Sequence, residues 1–347
     1  MKLRVGIVGL GPAWEGRHRP ALRALSDRFQ VVAVCDEIAL KAEQAARDFQ
    51  ATPVEGFRTV ASREDVDAIL MLSPQWYGAL PILAACEAGK AVYCAAAIDL
   101  DIPQAAALKT QVEQSGIAFM AEFPRRHAPA TLRLKELIAT SLGLPSLLFC
   151  HRRLAVERLH PASQRGRHVS PDTRELIELV DWCRYVVGRE PTSVVGAAHR
   201  GPQADQLDYQ MMSLDFSEMD YGQGPLAQIS CGHYMPAAWS EAISFRPPAA
   251  LQVCCQHGIA FIDMPATLIW FDQAGRHQES LESERPVWEQ LLCHFHRAVT
   301  SLVRKTSDLE DAYRAVSVVL AAQQSLADGH RRVLDFPNIS GAAAHDG

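Results

Sequence analysis

The chain opens on a short apolar run, Leu3–Val8, which breaks into Gly9-Leu10-Gly11 and then into a helical pattern through Pro20, Leu22, Leu25 and Phe29. A second apolar run, Val31–Cys35, ends in Asp36. Few folds accommodate this order. A run with almost no polar residues predicts a strand buried on both faces, which requires a parallel sheet with helices on either side. The glycines permit a tight turn and close approach of backbone to a ligand. The helix beyond them offers unpaired N–H groups and a partial positive charge. An acid closing the second strand accepts hydrogen bonds from ribose hydroxyls. In this order, strand, glycine turn, helix, strand and acid make a dinucleotide-binding βαβ unit.

The third glycine position of that unit holds Trp14, and Gly16 does not restore the spacing, so the turn is expected to be longer or the helix to sit further out. Asp36 stands 22 positions beyond Trp14, close to the ~20 typical of the ribose-binding acid. Its carboxylate repels a 2′-phosphate, Glu37 adds a second negative charge, and no Arg follows, all of which favours NAD over NADP.

The alternation continues. Phe49–Val54, a helix over Ser62–Asp65, a strand over Asp67–Leu72, a helix from Gly78 to Ala88, a strand over Ala91–Cys94, a helix over Pro103–Ser115 and a strand over Ile117–Ala121 predict a doubly wound parallel sheet. Beyond it, Val194–His199, Gln206–Phe216, Gly224–Gly232, Ala242–Phe245, Gln252–Cys255 and Ile259–Asp263 read as strands, several with period-two alternation. They predict a second α+β domain with an open, mostly antiparallel sheet whose exposed face is available for self-association. His233, Tyr234 and Trp239 are placed in a loop, and the segment from Asn338 in a fraying tail.

Composition removes several classes. A net charge of −6 argues against nucleic acid and anionic membranes as partners. The uncharged run Ala68–Cys86 approaches membrane-span length, but Pro74, Gly78 and Pro81 divide it. The N-terminal apolar stretch is too short for a signal peptide. Nine cysteines with no CxxC spacing suggest neither a disulfide framework nor a zinc knuckle. Cys293, His294 and His296 fall on a predicted helix over Trp288–Val303 and read as ordinary helix residues. No metal is expected, and a reducing cytoplasm is the simplest compartment.

With these segments in place, the sequence resembles the glucose–fructose oxidoreductase, inositol dehydrogenase and MocA-like oxidoreductases. The resemblance is carried by Val5–Gly11 with His18-Arg19-Pro20-Ala21-Leu22, by Val31–Asp36 and Asp67–Pro74, by Ala84–Ala97, Arg126–Ala130 and Asp181–Gly188, and by Gln256–Phe261 and Leu309–Asp328. Each segment alone is weak, while their order and spacing together are specific. The resemblance implies a Rossmann domain over residues 1–122, a substrate and oligomerisation domain over 123–337, and a tail over 338–347. It implies hydride transfer between a nicotinamide and a sugar, cyclitol or related carbonyl compound, with Gly9, Leu10, Gly11, Ala13, Trp14, Asp36, Ser73 and Pro74 touching the cofactor.

It also locates departures. The family's E-K-P lysine falls on Ala96 within Ala95-Ala96-Ala97, its helical Asp and His fall on Arg174 and Glu178, and a further His falls on Gly78. Ala96 has no proton to give, and arginine is no base at neutral pH. Arg174 and Glu178 stand four apart, a spacing that permits pairing on a helix. Three readings stay open. An altered relay uses Glu178 as base, assisted by Tyr77 or His127. A sensor binds NAD(H) or a sugar without turnover. A non-redox enzyme uses NAD transiently. The basic stretch His151–His168, with Arg152, Arg153, Arg158, Arg165 and Arg167, suggests an anionic small-molecule ligand, with Arg174 and Asp181 as further contacts.

Overall fold

The computed structural model describes residues 1–95, 102–156, 171–201, 207–236, 239, 241–242, 245, 248–281, 285–301 and 307–336. Ala96, Ala97, Arg158, Arg165, Arg167 and the tail from Asn338 lie outside them.

Two sheets organise the chain. The first has six strands: β1 (Leu3–Val8), β2 (Phe29–Cys35), β3 (Thr52–Pro53), β4 (Ala68–Met71), β5 (Ala91–Cys94) and β6 (Phe119–Ala121). Their order is β3-β2-β1-β4-β5-β6 and every pairing is parallel. The order reverses beside β1, and in open α/β sheets the crevice at such a reversal, outside the strand C-termini, is where ligands bind. Residues such as Ile7, Ile69, Leu70 and Tyr93 are fully buried because helices cover both faces. One face packs on α1 (Arg19–Ala24) and α2 (Ala39–Phe49), the other on α3 (Phe57–Ser62), α5 (Leu80–Glu87) and α6 (Ile102–Ser115).

The second sheet has nine strands: β7 (Pro145–Val156), β8 (Ser193–Arg200), β9 (Leu207–Asp215), β10 (Leu226–Pro236), β11 (Leu251–Cys255), β12 (Gly258–Asp263), β13 (Thr267–Asp272), β14 (Gly275–Ser280) and β15 (Arg332–Val333). The order is β14-β13-β12-β11-β7-β10-β9-β8-β15, antiparallel except for β7 beside β10. Alternation along β7 sends Leu148 and Cys150 into the core, against α8 (Pro171–Val187). It leaves Leu147 and Phe149 about two-fifths exposed on the opposite face, with Phe271 of β13. Helices α8 and α10 (Ser307–Asp328) cover the inner face. Helix α9 (Val287–Thr300), although late in sequence, packs back on the first sheet, where Phe295 meets Tyr93 edge-to-face at 5.5 Å.

Several local expectations are corrected. The helix expected over Ser62–Asp65 lies earlier, as α3, entered through Gly56 at φ +77°. The helix expected from Gly78 is two helices, α4 (Pro74–Tyr77) and α5, because Gly78 adopts φ +58° and interrupts the run. Only Thr52 and Pro53 of Phe49–Val54 form a strand; Phe49 ends α2. Glu241 and Ala242 are helical rather than extended. His233 and Tyr234 belong to β10, which passes through a register irregularity between Gly232 and Met235. A bulge of this kind hides a strand from period-two counting.

Candidate active site

The glycine turn is built as its residue types require. Gly9 and Gly11 adopt φ +70° and +67°, in the left-handed region. A Cβ on Gly9 would stand 2.4 Å from Ser73 Cβ, and one on Gly11 would stand 2.3 Å from the Leu72 carbonyl oxygen. The turn therefore packs directly on the loop leaving β4, where Ser73 and Pro74 are themselves buried. Gly9 N–H donates to the Cys35 carbonyl at 2.8 Å. The Asp36 carboxylate accepts from Leu10 N–H at 2.8 Å and from Ile38 N–H at 2.9 Å, which ties the first turn to the end of β2. Each of its oxygens keeps lone-pair capacity for a further donor. The N–H groups of Gly11 and Ala13 donate to no described residue, so two amides at the mouth of the turn are left for an acceptor. Carboxylate and amides together fit the ribose and pyrophosphate of a dinucleotide.

Trp14 plays a different part. Its indole is buried, 5.9 Å from the Phe49 ring, so only its backbone remains for a cofactor. Where a third glycine would let helix and strand close up, the helix starts with a wide turn in which the Ala13 carbonyl accepts from Arg17 N–H at 3.0 Å and His18 N–H at 3.3 Å. This is the longer turn that the missing glycine predicted.

The three candidates for proton transfer are not brought together. Tyr77 lies behind the glycine turn: its ring approaches the Gly9 backbone, meets Phe57 edge-on at 6.1 Å, and its hydroxyl is 4.0 Å from the Cys35 thiol. Burial raises its pKa well above the usual phenol value. His127 faces α9, edge-to-face with His294 at 5.0 Å, and burial lowers its pKa to about 4. Glu178 alone stands in a charged cluster. Its carboxylate accepts from Arg125, rather than being held by Arg174 one turn earlier on α8. Burial raises the Glu178 pKa, opposed mainly by Arg125 and more weakly by Arg17 and Arg174.

The expected substrate contacts divide in the same way. Arg152 reaches Glu175 of α8 at 3.2 Å. Arg153 donates to the Phe245 carbonyl at 3.1 Å and lines an open cavity of about 580 Å³ with Met235, Glu241, Ala242 and Phe245. Asp181 is 1% exposed, bound by Arg126 (Nε to Oδ2 2.6 Å), with Arg184 Nη1 3.5 Å from Oδ1. Burial pushes its pKa up to about 6 despite those cations. It is a structural brace and has no surface on which to meet a substrate.

Several residues of the cluster escaped sequence reasoning. Arg125 bridges Glu175 and Glu178, and Arg126 bridges Asp181 and Asp311 of α10. Glu122, in the residue after β6, and His18, at the end of the wide turn, are both buried, with Nε2 of His18 4.0 Å from a Glu122 carboxylate oxygen. The available signal was a lone acid in the apolar run Phe119–Phe123 followed by two arginines, which periodicity counts as a strand end.

Residues 3–123 match the family described as "Oxidoreductase family, NAD-binding Rossmann fold". Among curated proteins, the chain is 28% identical over 196 residues to inositol 2-dehydrogenase 3 of Saccharopolyspora erythraea, 56% of each chain. It is 24% identical over 230 residues to 2,7-anhydro-N-acetylneuraminate hydratase of Mediterraneibacter gnavus, 62% of this chain and 60% of that protein. The chain thus spans less than two thirds of the length of either relative. Among solved structures, the aldose-aldose oxidoreductase of Caulobacter crescentus shares the fold at a TM-score of 0.81, covering 96% of this chain and 100% of the other at 14% identity. The glycine turn, the strand order and these likenesses converge on residues 3–123, which match the GFO_IDH_MocA oxidoreductase family through its NAD-binding Rossmann fold.

Proposed function

We propose that this protein is an NAD-dependent oxidoreductase acting on a sugar, cyclitol or related acidic small molecule, with carboxyl groups in place of the family's lysine. The observation that carries the reading is the Gly9–Gly11 turn locked to Asp36 with two amides left at its mouth. Gly9, Leu10, Gly11, Ala13 and Asp36 hold the dinucleotide, with Ser73 and Pro74 supporting the turn from behind. Asp36 disfavours a 2′-phosphate and selects NAD over NADP. NAD, when bound, supplies the hydride acceptor or donor.

The protein's own part is to bind the substrate and manage one proton. Glu178 is the base, and Arg125 orients its carboxylate. Arg125 and Arg152 gather on Glu175 and Glu178 of α8, and this concentration of guanidinium groups beside the proposed base is the basis for reading the substrate as anionic. Two of the relatives above are named for a cyclitol and a sugar acid derivative, in keeping with this class. Leu147, Phe149 and Phe271, exposed on the open face of the second sheet, are the surface through which we expect a homo-oligomer to form. No helix among the described residues is long and apolar enough to cross a membrane, and we assign the chain to the cytoplasm.

A sensor that binds NAD(H) or a sugar without turnover is the second reading, favoured by the Arg125 clamp on the one carboxylate cast as base. One experiment separates them. NADH and NADPH are titrated by fluorescence quenching, and nicotinamide absorbance is followed with inositols, sugar acids and sugar phosphates. Tighter binding of NADH with turnover of an acidic or polyhydroxylated compound supports the enzyme. NADH binding with no turnover across the panel supports the sensor, and no binding of either dinucleotide overturns the enzyme and every reading of the protein as a dinucleotide sensor.

A further inference from the structure

Where β10 passes its irregularity, neighbouring residues point to opposite faces of the second sheet. Tyr234 turns outward, its hydroxyl 2.9 Å from Nε2 of His151, whereas His233 turns inward and its Nε2 pairs with the Asp172 carboxylate in the first turn of α8. The previous inward position, Cys231, is buried and stands opposite Arg152 of β7. Arg152 reaches Glu175 of α8 through Nε at 3.2 Å, and its two Nη groups hydrogen-bond no described residue. Two basic side chains on adjacent strands are thus held from behind by acids of one helix. The acids are the more buried members, with Glu175 and Asp172 at 16% and 10% exposure against 53% and 26% for Arg152 and His233. Arg125, from the turn after β6, holds Glu175 from its other side. The same four charged groups bear on Cys231: burial raises its pKa, Asp172 and Glu175 add to the rise, and Arg152 and Arg125 oppose it.

We propose that Arg152 and His233 form an anion-binding subsite, which holds the carboxylate or phosphate of a sugar acid or sugar phosphate while Glu178, further along α8, meets the reacting hydroxyl. This rests on the reading of the substrate as anionic and deepens it. Asp172, Glu175 and Glu178 follow one another at three-residue steps, so Asp172 and Glu178 are separated by about 9 Å of helix rise. The acidic group and the reacting C–OH therefore stand at opposite ends of the substrate, which keeps the anion away from the like charge of Glu178. Arg125 is committed to Glu175 and Glu178, whereas Arg152 offers a fork of donors that matches carboxylate and phosphate oxygens. His233 adds a charge that is present only while its ring is protonated, a form that a carboxylate contact favours. Recognition of the anion is therefore pH-dependent. Asp172 and Glu175 act through their partners and are positioning residues.

The test uses the full chain with isotope-labelled histidine. The His233 ring signal in nuclear magnetic resonance, identified by its loss in His233→Gln, is followed as D-glucuronate, D-glucose 6-phosphate, inorganic phosphate or neutral D-glucose is added. A saturable shift with an anion and none with D-glucose is expected, and the anion that acts at lowest concentration tells carboxylate from phosphate. By calorimetry Arg152→Gln should bind that anion about tenfold more weakly. Wild type should bind it about fivefold more tightly than His233→Gln at pH 6, with the ratio falling toward one by pH 8 and falling at lower pH in the Asp172→Asn background. The subsite is overturned if no anion moves the His233 signal, if Arg152→Gln binds as wild type does, or if the ratio does not change with pH. Should His233→Gln not fold, the Arg152→Gln affinity decides alone. An anion response in a chain that binds no NADH leaves the subsite and removes the redox reading; turnover of a neutral polyol with no anion response does the reverse.

Discussion

Asp181 separates a brace from a ligand contact. It opens the Asp181–Gly188 segment that carries part of the family resemblance, and the sequence made it a substrate-binding candidate. In the structure it joins Arg126 and Arg184 at the crossing of α8 and α10, with side-chain exposures of 1%, 15% and 2%. The perturbation is Asp181→Ala. Breaking a buried ion pair from one side costs about 3–5 kcal/mol, because the surviving cation stays desolvated. Here Asp311 also accepts from Arg126 at 2.7 Å and from Arg184 at 3.1 Å, which preserves part of the compensation. The expected loss is therefore about 2–4 kcal/mol, or a melting point lower by roughly 4–12 °C on the usual size scaling. Calorimetry gives the melting shift, and NADH and substrate titrations on the same protein give the affinities. A variant that melts within about 1 °C of wild type yet loses substrate affinity would refute the brace and return Asp181 to the site.

Other consequences follow from the same geometry. Gly11→Ala places a Cβ 2.3 Å from the Leu72 carbonyl at φ +67°. It should cost about 1–3 kcal/mol and abolish NADH quenching; unchanged quenching would disconnect the turn from the dinucleotide. Asp36→Asn keeps the shape but not the charge, so NADPH affinity should rise toward that of NADH, and an unaltered ratio would remove Asp36 as the selector. Stability should also fall in acid. His18 and His127 have folded pKa values near 4, below the unfolded value of 6.5, so the unfolded chain takes up protons first as pH drops. Their contribution is present above pH 6.5 and is lost on descending through 4, by about 1–3 kcal/mol each. The urea midpoint of His127→Gln should accordingly fall less between pH 7 and pH 4 than that of wild type, and parallel curves would contradict the assignment.

Much of the first domain was readable because its rules are local. Leu3–Val8 and Ala91–Cys94 match the observed strands, since strands buried on both faces are written as unbroken apolar runs. Gly9, Gly11 and Asp36 were readable because each satisfies a backbone demand visible at short range. Trp14 was half readable: its presence foretold a longer turn, but not that the indole would be consumed in packing on Phe49. The second sheet was less legible, because the β10 irregularity moves His233 and Tyr234 off a simple alternation.

The proton-handling side chains show the other limit. Tyr77, His127 and Glu178 are chemically suitable acids and bases, and as sequence nothing ranks them. Folding turns Tyr77 toward Cys35, His127 toward His294 and Glu178 toward Arg125, so one of the three is left in the charged cluster. Glu122 is buried beside His18 and Tyr93, which reach it from distant parts of the chain, so nothing in its own sequence neighbourhood marks it. Sequence by itself determined the parallel sheet, the glycine turn and the acid that closes β2, because those depend on backbone conformation and hydrophobic period. Only the tertiary structure decided which acids and bases are buried, braced or left in the charged cluster, because desolvation and neighbouring charge come into being when the chain closes on itself.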